Sequence, residues 1–170
     1  MIIGTQVMDT IQLRNSEDAI VAGTSAGASL LPRHMLLGGA GIGGDRGDAA
    51  ARKSMVEVVR GLNLPPDVII DQHVSERGRM GRLLSAFAAN PGLVGIGLDE
   101  NTAVLVHEKG VFETPGDGMV TIVDGRNVVS DYFVREPGDI LTITHSSLHV
   151  LGPGRFLDLI AHNPVDDLDG

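Results

Sequence analysis

The chain contains no cysteine and no tryptophan, only 3% of its residues are aromatic, and its 13 lysines and arginines are outnumbered by 22 acids. Without cysteine there is no disulfide framework, thiolate zinc site, iron–sulfur cluster or cysteine nucleophile. The shortage of positive charge, a formal net of −9, argues against nucleic acid or an anionic membrane as the main partner. No apolar run reaches the roughly 18 residues a membrane span requires. The stretch Met1-Ile2-Ile3-Gly4-Thr5-Gln6 lacks a basic region followed by an apolar core, so it does not read as a secretory signal. A cytoplasmic location is expected, with secretion as the alternative, since the absence of cysteine is compatible with both.

What is present is a globular composition. Of 170 residues, 42% are hydrophobic and 21% charged, enough chain for one domain with a core. Glycine is abundant, 23 of 170, which predicts many tight turns and close backbone approaches. Residues 1–15 read as a helix with Val7, Met8 and Ile11 on one face. Ala19-Ile20-Val21-Ala22-Gly23 is a short apolar run of the buried-strand kind. A helix begins at Ala28, a glycine-rich loop covers residues 37–47, and a helix with Met55, Val58, Val59 and Leu62 as its stripe is expected over 49–62. Val68-Ile69-Ile70 is a strand, residues 77–89 a helix with Leu83, Leu84 and Phe87 inward, and Val94–Gly97 another strand. This alternation predicts an α/β fold with a largely parallel sheet over residues 1–106. Beyond it, short strands separated by turns such as Pro115-Gly116-Asp117-Gly118 and Pro137-Gly138-Asp139 predict an antiparallel, β-rich portion over 107–165, then a short acidic tail over 166–170.

The sharpest chemical signal is Gly23-Thr24-Ser25-Ala26-Gly27, between an apolar run and a helix. A nucleophile at a strand end sits in a strained turn, so its neighbours must be small, and the helix start aims backbone N–H groups at a developing oxyanion. The plainer alternative is an ordinary strand-to-helix turn capped by Ser25. A serine nucleophile needs a base. His73 follows the Val68–Ile70 strand at its carboxyl end, where open α/β sheets place their sites. Of the others, His34 is expected in a turn, and His107, His145, His149 and His162 lie in the β-rich portion. Asp45, Asp48 and Asp71 are candidates for the third, orienting carboxylate. Arg77, Arg79 and Arg82 form a cluster suited either to surface ion pairs or to a carboxylate clamp. Nothing has metal-ligand spacing beyond the Asp71-x-His73 pair, and neither metal nor cofactor is expected.

Three ordered blocks carry a family resemblance: Gly23 to Ser29, Asp71 to Leu83, and Gly95-Ile96-Gly97-Leu98-Asp99-Glu100-Asn101-Thr102-Ala103. They resemble the signature blocks of the cyanophycinases, serine peptidases of the same clan as the aspartyl dipeptidase peptidase E. The resemblance extends over nearly the whole chain, including Leu148-His149-Val150-Leu151. It implies a fold like class I glutamine amidotransferases. It also implies an exopeptidase acting on cyanophycin, a polyaspartate with arginine on each side-chain carboxyl, and releasing β-Asp-Arg through an acyl-enzyme. By position, Ser25 is the nucleophile, His73 the base, and the Ala26 N–H an oxyanion donor. Asp48, in the segment Gly47 to Lys53, is the match for the family's acidic residue, a glutamate. Asp71, Gln72, Arg77, Arg79 and Arg82 match the substrate pocket, with arginines for aspartyl carboxylates and Asp71 for the substrate guanidinium. The family also implies a homodimer.

Members of that family are longer, with a preceding stretch that carries the first βα units and a Gly-Gly-Asp-Gln loop supplying a second oxyanion donor. The chain is therefore expected to be N-terminally truncated and poorly active alone. The rival expectations are an aspartyl or isoaspartyl dipeptidase of the same clan, or an inactive remnant that needs a partner chain.

Overall fold

Two of the apolar runs, around Val68 and Val94, form the middle of a central sheet. The computed structural model describes residues 2–37, 49–65, 67–107, 110–161 and 163–168. In chain order the elements are α1 (Gln6–Ser16), α2 (Ala26–Leu30), β1 (His34–Leu37), β2 (Glu57–Arg60), β3 (Val68–Gln72), α3 (Val74–Arg77), α4 (Met80–Ala89), β4 (Val94–Leu98), β5 (Leu105–Val106), β6 (Val111–Glu113), β7 (Val120–Asp124), β8 (Val129–Ser130), a 3-10 turn (Tyr132–Val134), β9 (Ile143–Thr144), β10 (Ser147–Leu151), β11 (Phe156–Asp158) and β12 (Asn163–Val165).

The central sheet runs β10-β7-β4-β3-β1-β2. β1, β3 and β4 are parallel neighbours, β2 and β7 are antiparallel to them, and β10, antiparallel to β7, runs with the parallel set. Four of the six strands thus share one direction, as a mixed α/β fold with a mostly parallel sheet requires. A smaller antiparallel sheet, β12-β11-β6-β5, and the β8–β9 pair complete the structure. The β-rich portion is therefore shared out: β7 and β10 extend the central sheet, and the rest stand apart from it.

The period of two along β3 explains the layering. Val68 and Ile70 pack with Ala28, Val94, Ile96, Val120 and Ile122, and with Phe112 and Leu157 of the smaller sheet. Ile69 faces the other way, against Leu36 and Ala86 of α4. A strand buried on both faces is a continuous apolar run, which is what Val68-Ile69-Ile70 is. α4 presents Leu83, Ala86 and Phe87 at helical spacing, all fully buried. β4 accepts the helix because Gly95 and Gly97 lie beneath it. A Cβ at Gly97 would meet Val74 at 3.1 Å and Leu83 at 3.2 Å.

Several expectations fail here. Residues 49–62 are not a helix: Glu57–Arg60 form β2, paired with β1 along Leu37↔Glu57 to His34↔Arg60. Two adjacent valines favour a strand once a partner is available, and the partner is the His34–Leu37 segment, which begins at a histidine expected in a turn. The run Ala19–Gly23 does not form a strand. Both edges of β3 are occupied, by β1 and β4, so the run has no ladder there, and Ile20 stands 96% exposed. The helix expected over 77–89 breaks at Gly78, whose φ is +60°, into α3 and α4. In α1 only Met8 is buried. Of the glycine-rich loop expected over 37–47, Leu37 ends β1, and residues 38–47, with Asp45, lie outside the described residues, as do Asp48 and His162.

Candidate functional site

The Gly23–Gly27 turn leads straight into α2, and Ser25 occupies its N-cap with φ +51° and ψ −122°. Positive φ is costly for a residue with a Cβ, about 1–3 kcal/mol, and persists only where the surroundings impose it. Here Gly23 allows it. A Cβ on Gly23 would stand 2.4 Å from the Gly27 carbonyl oxygen, a backbone atom that cannot swing aside, whereas a Cβ on Gly27 would meet nothing. Of the two glycines in the pentapeptide, the first is the steric requirement. The Gly23→Ala variant is expected to shift Ser25 and cut its reactivity toward a serine-directed fluorophosphonate about 10²-fold, the scale of a 1 Å misplacement, while circular dichroism stays that of the parent.

Past Ser25, Gly27 donates to the Thr24 carbonyl and Ala28 to the Ser25 carbonyl. The Ala26 N–H has no backbone acceptor among the described residues. Among the described residues it is a free donor, one residue after the serine hydroxyl.

His73 comes from the carboxyl end of β3, as expected. It is the N-cap of α3 and, like Ser25, has positive φ (+54°). The two side chains meet: Ser25 Oγ is 3.0 Å from His73 Nε2. On the other side of the ring, Glu100 Oε1 lies 2.9 Å from Nδ1. That approach is at ion-pair distance but off the ring N–H direction, so Nδ1 makes no straight hydrogen bond. Ser25 is exposed and the Glu100 side chain is 51% accessible, so the row of three opens to solvent.

Glu100 is the site residue that sequence reasoning passed over. It sits in the Gly95–Ala103 block, but nothing in the spacing says that the turn after β4 reaches the residue after β3. The register does. β3 and β4 pair in parallel as far as Gln72↔Leu98, which brings the residues just beyond each strand together. A second carboxylate locks the juncture. Buried Asp99 accepts from the Ser75 N–H at 3.0 Å and the Met119 N–H at 3.2 Å. The Glu100 N–H in turn donates to Glu76 Oε1 at 3.0 Å. The turn beyond is braced by Gly116, at φ +128°, where a Cβ would lie 2.2 Å from the Asn101 oxygen.

The other expected site residues divide. Asp71 is fully buried, and both its oxygens are engaged by Arg82, Nε reaching Oδ2 at 2.8 Å and the second nitrogen closing on Oδ1. Arg79, 5% exposed, donates to the Gln72 backbone oxygen at 2.7 Å and to its Oε1 at 2.8 Å. These four form an internal brace behind His73. Arg77 is different: it is exposed and, among the described residues, its guanidinium has no ion pair or hydrogen bond. Asp48 lies outside the described residues; among those described, Glu100 is the carboxylate set against His73.

Comparison with known proteins supplies independent findings. The model of peptidase family S51 matches residues 1–114. A cyanophycinase of Trichormus variabilis is 40% identical over 155 residues, covering 88% of this chain and 49% of its own length. One of Geminocystis herdmanii is 35% identical over 167 residues, covering 97% and 59% respectively. One of Synechococcus elongatus is 37% identical over 145 residues, covering 85% and 43%. The chain spans about half the length of the curated relatives it matches. Among the described residues no helix is long and apolar enough to cross a membrane.

Proposed function

The chain belongs to peptidase family S51, and from that premise we propose that Ser25, His73 and Glu100 act as nucleophile, base and orienting acid in hydrolysis of cyanophycin. The observation that carries the reading is the row of three side chains, with Ser25 Oγ 3.0 Å from Nε2 and Glu100 2.9 Å from Nδ1. A carboxylate beside Nδ1 favours the tautomer protonated there, which leaves Nε2 to accept the serine proton.

The chemistry follows. The Ser25 hydroxyl gives its proton to Nε2 as Oγ bonds to the carbonyl carbon of a main-chain aspartyl amide. Negative charge gathers on the carbonyl oxygen, where the Ala26 N–H donates. The tetrahedral centre collapses, the C–N bond breaks, and Nε2–H protonates the leaving amine. Water, deprotonated by His73, then cleaves the ester, giving a carboxylate and restoring the Ser25 hydroxyl. Release of β-Asp-Arg keeps the side-chain isopeptide bond intact, so the broken bond is in the main chain. The open mouth of the site suits a polymer end, and the unpaired Arg77 suits a substrate carboxylate.

The same reading includes the class I glutamine amidotransferase-like layout, supported by the elbow before α2 and a histidine at the carboxyl end of the adjacent β3. It also includes a homodimer and a cytoplasmic location.

The test has two arms. A fluorophosphonate is expected to label the chain at Ser25 alone, located by peptide mass mapping. Incubation with cyanophycin is expected to release β-Asp-Arg faster than Asp-X dipeptides are cleaved. Labelling elsewhere would displace Ser25, and preferential dipeptide cleavage would move the substrate to the dipeptidase class.

A further inference from the structure

At the end of the sheet remote from His73, β1 and β2 carry a second group of polar side chains. His34 and Arg60 are direct partners across the ladder, as are Leu36 and Val58, and directly opposed residues share a sheet face. That face lies under α4, because Leu36, Ile69 and Ala86 cluster there with Val58. Asn63 from the turn after β2 stands at the same place, as does Asn90 from the end of α4, whose Nδ2 donates to the Ala86 carbonyl at 2.7 Å. Arg33, just before β1, completes the wall of a cavity of about 580 Å³, with Val58 and Val59 as its apolar lining. His34 pairs with Ile69 near the start of β3, and Ile69 is roughly 13 Å along the strand from His73 at about 3.3 Å per residue. The cavity is therefore separate from Ser25 and His73.

Its charge runs against the rest of the molecule. The chain is net −9, yet no carboxylate lines this cavity among the described residues. Arg14, Arg82, Arg126 and Arg135 each hold a carboxylate of the chain itself. Among the described residues, Arg33 and Arg60 have neither an ion pair nor a side-chain hydrogen bond. His34 stands in the wall, but its Nδ1 is enclosed within the protein and takes no part in the opening. Two guanidinium forks beside an apolar wall, with no carboxylate to oppose them among the described residues, match a small ligand that carries several charged oxygens.

We propose that this cavity binds a small oxyanion, a polycarboxylate or a phosphate, gripped between Arg33 and Arg60. The whole 170-residue chain would be titrated calorimetrically with citrate and with inorganic phosphate, at ionic strength held constant with sodium chloride. Saturable one-site binding of at least one of the two is expected. Arg33→Gln and Arg60→Gln are each expected to weaken it about tenfold, the worth of one charge-assisted hydrogen-bonded pair. Arg60→Lys, which keeps the charge and loses the fork, should fall between the parent and Arg60→Gln. Because both arginines are exposed, the variants are expected to unfold at the parent's midpoint, and Arg60→Lys guards against loss of fold in the glutamine forms. Ser25→Ala is expected to bind as the parent does, which separates this site from the catalytic reading. Heats that never saturate with either anion, or an affinity unchanged in the Arg33→Gln/Arg60→Gln double variant, would overturn the proposal.

Discussion

On the proposed function, alanine at Ser25 is expected to slow release of β-Asp-Arg from cyanophycin by about 10⁴- to 10⁶-fold, and alanine at His73 by a similar factor. The double variant should be little worse than either alone, because the two act as a unit: with no base the hydroxyl is not activated, and with no hydroxyl the base has nothing to serve. The 3.0 Å contact between Oγ and Nε2 makes this coupling specific. Glu100→Gln is expected to cost about 10²- to 10⁴-fold. An amide in that position no longer favours protonation at Nδ1 or stabilises the imidazolium, but half of the Glu100 side chain is in water, which softens the loss. Initial rates of dipeptide release, each with a denaturation midpoint to show an intact fold, decide the matter. A Ser25→Ala protein as fast as the parent removes the acyl-enzyme, and a Glu100→Gln protein as fast as the parent removes the acid.

The meeting of Ser25 with His73, the pair proposed as nucleophile and base, is legible in the sequence for a local reason. Small residues around Ser25 and a polar trio after an apolar strand are signals that occupy a few consecutive positions. Glu100 was not legible in that way, because its role depends on the parallel register of β3 with β4, and register is a property of two segments together. The same holds for Arg79 and Arg82. A run of arginines beside a base looks like a clamp for a ligand, yet the turn at Gly78 lets α4 fold back so that both point into the protein. β2 escapes the sequence because two adjacent valines, Val58 and Val59, fit an apolar helix stripe as well as a strand, and only pairing with β1 decides. The strand expected at Ala19–Gly23 shows the converse: apolar composition supplies the propensity, but without a neighbouring edge no ladder forms.

The internal brace leads to the second large effect. Asp71→Ala is expected to destabilise the fold by about 3–5 kcal/mol, the cost of leaving a buried charge without its partner. Arg82 has a side chain only 11% accessible, and Asp71 is not accessible at all. The double variant Asp71→Leu/Arg82→Met should recover most of that loss, since a buried ion pair replaced as a pair is often neutral. Urea denaturation measures both, as a shift of midpoint at constant slope. Asp71→Asn separates the two roles open to this carboxylate. Were it a receptor for a substrate guanidinium, the amide would raise KM and leave the unfolding midpoint alone. As a brace for Arg82, it should lower the midpoint, and turnover should fall with it. Asp71 Oδ1 also accepts the Gln72 N–H at 2.8 Å, and Arg79 holds the Gln72 carbonyl. The backbone is thereby fixed up to the residue before His73. A left-handed histidine reaches Ser25 only if the strand that delivers it ends in one place, and the buried aspartate–arginine pair sets that end.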